Sequence, residues 1–587
     1  MSRTGGYRDQ ALDLAGNPGQ QRAYASTGHC VVVAGPGSGK TKTLTLKLAR
    51  MLEEDVEDPR GIACITYNNE CARELETRLY ALGLEPSRRL FIGTVHSFSL
   101  TQVILPHAQS LDLGIPLDFK IATKTQQAAA LEDAYAAVVG PGIPAEWKDR
   151  MNRYRRSILD RASKAWREND AQIMALAERY ERELRGRGVI DFEDMPLVAL
   201  RALQKHPWLK RALLAKYPIL AVDEYQDLGT ALHTMVMELC FSAGVRLFAV
   251  GDPDQSIYGF NGSDPELFNQ LSNRPDIERV PLTLNYRCGR DIVSASQLAL
   301  GAARGYEATD DAPQGTIYFH SFSGNYETQA VRVFTEILAS VAERRKELDL
   351  SDVAVLYPAA WIGNAIADVA QQAGVAIIRS DTASLFPRGS RLMTWIERCA
   401  IWCCRGWKTG DPRLSRLQKD AIAIFSEGLP NEEAQLSFIR SLVDYLWNNR
   451  LPTATMHSWL AGFAAAVLTP MVVPTPRLDD ERELFEEVVE RVREDDLTLE
   501  GFAGGGTARD RLNLSSLHSS KGREFEVVVM FGIDEGRLPR ANPTEKDLRE
   551  SRQLFYVGLT RAKSELHIIS SSNRVSRFVS DLIKRLA

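Results

Sequence analysis

Short, unbroken apolar runs rich in β-branched residues recur along this chain, and several empty abruptly into glycine or acid. Val31-Val-Val-Ala34 breaks into Gly35-Pro36-Gly37-Ser38-Gly39-Lys40-Thr41 and then into the helical pattern Lys42-Thr-Leu-Thr-Leu-Lys-Leu. Tyr217-Pro-Ile-Leu-Ala-Val222 ends in Asp223-Glu224-Tyr225-Gln226-Asp227, and Arg246-Leu-Phe-Ala-Val250 ends in Gly251-Asp252-Pro253-Asp254-Gln255. Val353-Ala-Val-Leu-Tyr357 and Glu526-Val-Val-Val-Met530 are runs of the same kind. Apolar runs without alternation are the pattern of strands buried on both faces, and helical patterns lie between them. An α/β fold of parallel sheets flanked by helices follows.

Two stretches depart from this rhythm. Trp147-Lys148-Asp-Arg150-Met-Asn-Arg153-Tyr154-Arg155-Arg156, running on to Arg161, Lys164, Trp166 and Arg167, is the densest basic and aromatic stretch. It reads either as a solvated helix face or as a nucleic-acid contact. Leu478-Asp-Asp-Glu-Arg-Glu-Leu-Phe-Glu-Glu-Val-Val-Glu-Arg-Val reads as an acidic amphipathic helix, better suited to a basic protein surface than to phosphates.

With 587 residues the chain exceeds one core and should divide into roughly three or four domains. An apolar content of 44% with 25% charged residues is that of a globular protein. No segment approaches the ~20 apolar residues of a membrane span, and the first residues lack the apolar stretch of a signal peptide. A cytoplasmic protein is expected. The eight cysteines show neither disulfide density nor paired metal-ligand spacing, so reduced, mostly buried thiols are expected. A net charge of -5 argues against a uniformly basic nucleic-acid binder but permits a local basic groove.

The chemistry lies where the strands end. A glycine loop between strand and helix turns backbone N–H groups onto an anion, so Ala34, Gly35, Pro36, Gly37, Ser38, Gly39, Lys40, Thr41 and Lys42 form a candidate phosphate cradle. Lys40 would reach the β- and γ-phosphates and the Thr41 hydroxyl would ligate Mg²⁺. Ala34 stands where the strict pattern has glycine. Paired acids at the end of a second strand place Asp223 near the metal and Glu224 beside an attacking water as general base.

Glycine loop, Asp223 to Asp227 and Gly251 to Phe260, in this order, resemble the UvrD/Rep family of superfamily 1 DNA helicases. Other motifs of that family can be matched. Asn17-Pro-Gly-Gln20 resembles its N-terminal glutamine motif, with Gln20 on the adenine edge. Ile65-Thr66-Tyr67-Asn68-Asn69-Glu70-Cys71-Ala72 and Gly93-Thr94-Val95-His96-Ser97-Phe98 resemble segments lining the single-strand track, and Asp191-Phe192-Glu193-Asp194 matches the segment that precedes the acid strand. Leu284-Asn285-Tyr286-Arg287 is similar to the motif carrying an adenine-stacking tyrosine and a first arginine finger. Leu517-His518-Ser519-Ser520-Lys521-Gly522-Arg523-Glu524-Phe525 resembles the motif whose glutamate touches the ribose, and Tyr556-Val-Gly-Leu-Thr560-Arg561-Ala-Lys563 the one with the second finger, Arg561.

The resemblance implies two RecA-like P-loop motor domains with two mainly helical insertions. They divide as 1–104 with 199–278, the insertion 105–198, 279–390 with 507–587, and a reduced insertion 391–506, with the run Gly504-Gly505-Gly506 as hinge or linker. It implies ATP and Mg²⁺ as cofactors, Gln255 as the link between γ-phosphate and strand, and single-stranded or tailed duplex DNA as partner. Thr66, Tyr67, Asn68, His96, Tyr258, Phe260 and His518 are the implied DNA contacts; for Tyr258 and Phe260, base stacking and core packing both remain open.

The chain also departs from the family. Phe260-Asn261-Gly262-Ser263 lacks the arginine that usually follows the loop aromatic, and Pro358 to Asn364 replaces another strand-contact segment. The second insertion is short, and the 26 residues after Arg561 are too few for a fused nuclease. An ATP-driven 3′ to 5′ translocase and helicase is the leading expectation. A DNA-stimulated ATPase serving a separate nuclease, as in compact relatives of anti-phage systems such as Gabija, is the alternative. A non-catalytic binding module is disfavoured by the intact Lys40, Thr41, Asp223, Glu224, Gln255, Arg287 and Arg561.

Overall fold

The structure, a computed structural model, describes residues 6–84, 89–259, 262–381, 384–386, 390–410, 412–426, 428–472, 476–493, 497–503 and 511–587. Phe260, Asn261 and the Gly504-Gly505-Gly506 run lie outside the described residues. Two compact units are present. The first takes in the chain up to Lys120, residues 126–321 and residues 521–587; the second takes in residues 121–125 and 322–520.

The first unit is built on six strands: β1 (Cys30–Ala34), β2 (Ile62–Thr66), β3 (Leu90–Thr94), β4 (Ile219–Val222), β5 (Arg246–Gly251) and β6 (Glu278–Leu282), in the order β3-β2-β4-β5-β1-β6. Every recorded pairing among them is parallel, and Val32 on β1 stands opposite Val250 of β5 and Val280 of β6. Cys30, Val31, Val32 and Ala34 are fully buried, as are all four residues of β4. Burial on both faces demands an apolar side chain at every position, and this is why these strands read as runs. Because the strands are parallel, the loops after β1, β2, β4 and β5 gather at one edge of the sheet, the place where open α/β sheets bind ligands.

Further strands are β7 (Thr316–Phe322), β8 (Val353–Tyr357), β9 (Ile377–Arg379), β10 (Leu512–Ser516), β11 (Phe525–Met530) and β12 (Ala562–Ser571). In the first unit β12 lies between β7 and β11 and runs parallel to β11; in the second, β10 lies between β8 and β9, all parallel. The expected α/β class of parallel sheets flanked by helices is therefore the observed one. Residues 279–321 and 521–587 group compactly with the first sheet, so Arg287 and Arg561 share a unit with the glycine loop.

Between β3 and β4 the first unit is mainly helical, with helices Lys124–Val138, Ala145–Ser157 and Ala171–Gly186. The basic stretch here has a role that neither sequence reading covered. Arg155 is fully buried and pairs with Glu181 at 2.9 Å, Asp191 at 2.7 Å and Asp194 at 3.0 Å. Arg161 also reaches Glu181 and lies 3.5 Å over the ring of the buried Trp166. Arg155 is thus an internal hub, and the Asp191 to Asp194 turn is its counterpart.

The second unit packs helices Arg391–Ile401, Leu414–Ile424, Glu432–Asn448, Met456–Val467 and Pro476–Arg491 around a core that includes Trp395, Leu442 and Phe463. The acidic helix contributes Phe485 and Val488 to that core and leaves Glu483, Glu486 and Glu487 exposed. Its apolar stripe is consumed internally. All eight cysteines are free, six buried and Cys71 and Cys404 half-buried.

Candidate active site

The turn after β1 owes its shape to two glycines. Gly37 (φ 65°) and Gly39 (φ 78°) adopt the left-handed conformation, and Gly39 opens the helix Lys40–Arg50. A side chain at Gly37 would strike Asn285 Oδ1 at 2.7 Å, and one at Gly39 would strike Gln20 Nε2 at 2.4 Å. Both neighbours are there for a reason. Asn285 donates from Nδ2 to the Pro36 carbonyl (2.8 Å), and Gln20 donates from Nε2 to the Ser38 carbonyl (2.9 Å). The loop carbonyls are thereby tied outward, which leaves the loop N–H groups to serve an anion.

The loop lines a pocket of about 520 Å³ that also takes in Tyr67, Asn68, Asp223, Glu224, Asp227, Gln255, Tyr258, Tyr286, Arg287, Lys521, Glu524, Arg561 and Lys563. Elements from the whole length of the first unit converge here. The Asp223 amide donates to the Ile65 carbonyl at 2.8 Å, which joins the ends of β4 and β2. Glu224 holds the left-handed conformation (φ 48°), rare for a side chain of its size, and its carboxylate accepts from Gln226 Nε2 at 2.5 Å.

The charges are arranged in pairs. Lys40 Nζ stands 3.9 Å from Asp252 and 3.5 Å from the Ala34 carbonyl. Asp252 also accepts from Gln255 Nε2 at 2.7 Å. Lys521 pairs with Asp227, donates to the Gln255 carbonyl (2.6 Å) and lies 3.9 Å from Glu224. Burial, reinforced by the neighbouring Glu224, raises Asp223 to about 7. Burial works against Glu224 too, but Lys40, Lys521 and the Gln226 hydrogen bond outweigh it and hold its carboxyl below the ordinary range.

Arg287 donates to Glu524 at 2.6 Å, and Lys563 approaches the same carboxylate at 3.3 Å. Arg561 is different. It is fully buried and donates only to neutral oxygens, the carbonyls of Val557 (2.9 Å) and Arg523 (3.2 Å) and the Thr560 hydroxyl (3.1 Å). No carboxylate pairs with it among the described residues, and burial together with the Arg287 charge lowers it to about 9.

The expected residues are distributed unevenly. Lys40, Thr41, Lys42, Asp223, Glu224, Gln255, Tyr286, Arg287, Glu524 and Arg561 all line the pocket with Pro36, Gly37, Ser38 and Gly39. Gln20 sits under the loop instead, and Ala34 and Gly35 close its base, where Gly35 faces the Tyr306 ring. Tyr286 is half exposed, its hydroxyl accepting from Asn17 Nδ2 at 3.1 Å. Tyr67 and Tyr258 stack on each other at 4.7 Å beside the pocket, and Asn68 caps the helix Asn69–Ala81 through Cys71 N. Thr66 is fully buried at the end of β2. His96 packs edge-on against the exposed Phe192, and burial depresses its ring to about 4. His518 belongs to the second unit, where burial lowers its pKa.

Sequence reasoning missed Asp252, Asp227, Asn285 and Lys521 as organisers of the pocket. Asp252 carried a usable signal, since it follows the end of β5 as Asp223 follows β4.

Comparison with known proteins agrees with this geometry. Residues 16–276 match the UvrD/REP helicase N-terminal domain, and residues 479–573 match the UvrD-like helicase C-terminal domain. The chain belongs to the UvrD/Rep family of DNA helicases, and is thus an ATP-dependent enzyme of the hydrolase class that acts on DNA. Among its relatives, the ATP-dependent DNA helicase Rep of Escherichia coli is 27% identical over 94% of this chain and 90% of its own length. The ATP-dependent DNA helicase UvrD1 of Mycobacterium tuberculosis is 28% identical over 98% of this chain and 86% of its own length. Among the described residues no helix is long and apolar enough to cross a membrane.

Proposed function

We propose that the chain hydrolyses Mg²⁺-bound ATP in this pocket and uses the cycle to move 3′ to 5′ along single-stranded DNA. The observation that carries this reading is Arg561. A guanidinium buried without a carboxylate is costly, and a polyanion entering the pocket offsets that cost. Lys40 and Arg287 add two further cations to the lining, a grouping suited to the charge that builds on a transferring phosphoryl group.

Glu224, kept ionised by Lys40 and Lys521, accepts the proton of the attacking water. Gln255, tied to Asp252 and Lys521, reports on what occupies the pocket. Tyr286 offers an open ring to the base, and Glu524 a carboxylate to the ribose. Asp223 and the Thr41 hydroxyl, which makes no bond to any described residue, form a hard-oxygen pair that fits Mg²⁺, whose part is to neutralise phosphate charge. The stacked Tyr67 and Tyr258, next to the Lys521 network, are the route from nucleotide to strand. The polarity rests on the family resemblance.

The test is ATP turnover with and without single-stranded DNA, then unwinding of duplexes carrying a 3′ or a 5′ tail. Stimulation by DNA and unwinding from the 3′ tail are expected, with Lys40→Ala and Glu224→Gln each losing about 10²-fold or more in turnover. Turnover indifferent to DNA, or near wild type in either variant, refutes the reading.

A further inference from the structure

Arg287 is rooted in one place and held in another. Its amide donates to Asn285 Oδ1 at 2.8 Å, the neighbouring Tyr286 amide donates to the Gly37 carbonyl at 2.8 Å, and a side chain at Gly37 would come within 2.7 Å of the Arg287 Cβ. The root of the side chain is therefore packed against the glycine loop. Its guanidinium nevertheless ends on Glu524, where Nε donates to Oε2 at 2.6 Å, and Nη1 reaches the Thr560 carbonyl at 3.4 Å.

Glu524 has a second cation beside it. Lys563 Nζ lies 3.3 Å from its other oxygen, Oε1, and 3.8 Å from Glu526. Burial alone would raise the Glu524 carboxyl, but Arg287 and Lys563 outweigh it and hold the group below the ordinary carboxylate range. With Lys563 in place, the carboxylate can release Arg287 without being left as an unpaired charge. Chemistry restricts what can take the vacated oxygen. An ionised carboxylate only accepts hydrogen bonds, and in a nucleoside triphosphate the donors are the sugar hydroxyls and the amine of the base, whereas the phosphates are acceptors that a carboxylate repels. Tyr286, the residue before Arg287, and the glycine loop line the same pocket; with the base on Tyr286 and the phosphates on the loop, the sugar that joins them falls beside Glu524.

We propose that Glu524 selects for ribose through Arg287: the carboxylate holds the guanidinium away from the phosphates until a ribose hydroxyl takes over Oε2, and Lys563 is the positioning residue that keeps Glu524 charged and in place during the exchange. The proposal rests on the reading of this pocket as an ATP site and goes beyond a binding contact. A hydroxyl that only bound Glu524 would change KM, because ground state and transition state would feel it equally. A hydroxyl that frees a cation for the transferring phosphoryl group changes kcat. Because Arg287 is already anchored at the glycine loop, its release needs rotation of the side chain and no movement of the backbone.

The experiment compares saturating ATP with saturating 2′,3′-dideoxy-ATP on the full chain in the presence of single-stranded DNA. In the wild type, kcat should be about tenfold or more lower for the dideoxy nucleotide, the worth of one charge-assisted hydrogen bond left unbroken. Glu524→Ala removes the hold, so the two kcat values should converge, with that for the dideoxy nucleotide rising. Lys563→Met takes away the second cation and should widen the ratio. Arg287→Met has no guanidinium to release and should turn over both nucleotides equally slowly. A wild-type difference confined to KM, or a kcat ratio that Glu524→Ala or Lys563→Met leaves unchanged, overturns the proposal and leaves ATP hydrolysis standing. ATP turnover that survives Lys40→Ala refutes the ATP reading itself, and this proposal with it.

Discussion

Replacing Arg155 by methionine isolates the difference between an internal ion-pair hub and a DNA contact. The hub is neutral in the folded protein: Arg155, Arg161 and Arg185 face Glu181, Asp191 and Asp194. Methionine keeps most of the side-chain volume but leaves three carboxylates against two arginines, and Asp191 loses both guanidinium hydrogen bonds, at 2.7 and 3.1 Å. Breaking a buried pair on one side costs about 3–5 kcal/mol.

Hydrogen exchange in the helices Ala145–Ser157 and Ala171–Gly186 is the direct assay, with protection expected to drop on the order of 10²–10³-fold. Arg155→Met with unchanged protection and a flatter salt dependence of DNA binding would refute the hub and restore a phosphate contact.

Two further outcomes follow from the burial of single groups. Arg561→Met should cut ATP turnover on the order of 10³-fold while nucleotide still binds, and the nucleotide-free protein should melt at the same or a higher temperature, because an unpaired buried charge is removed; a melting point several degrees lower would make Arg561 a structural residue instead. His96, depressed to about 4 by burial, is neutral in the folded state while an unfolded histidine near 6.5 takes up a proton, so its contribution is fully present above pH 6.5 and is lost as pH falls toward 4, by at most about 3 kcal/mol. His96→Gln should flatten the stability profile in that window, and an unchanged slope there contradicts a neutral, half-buried ring.

Wherever a strand hands over to its loop, the local pattern was sufficient. An apolar run followed by glycines reads as a buried strand entering a tight turn, and Val31 to Thr41 is observed as the end of β1, its turn and the start of the helix Lys40–Arg50. Asp223 and Glu224 were read from the acid pair that ends a buried strand, a pattern that gained its meaning from the other motifs in order along the chain. Residue type and spacing carry that information without distant neighbours.

What the sequence alone determined about this protein is therefore its class, with the glycine loop, the acid pair and the arginines each written in a few consecutive residues. Tertiary structure alone decided how they are held. Lys40 leans on Asp252, Asn285 ties down the Pro36 carbonyl, and Lys521 reaches Asp227 and Gln255 from nearly three hundred positions away. The fate of the basic stretch was decided in the same way. Arg153, Arg155 and Arg156 look equivalent in sequence, yet helix geometry turns Arg155 inward onto Asp191 and Asp194, leaves Arg153 exposed and sets Arg156 against Glu193. Charge along a chain is a local property, whereas the partner that makes a buried charge tolerable is supplied by the fold.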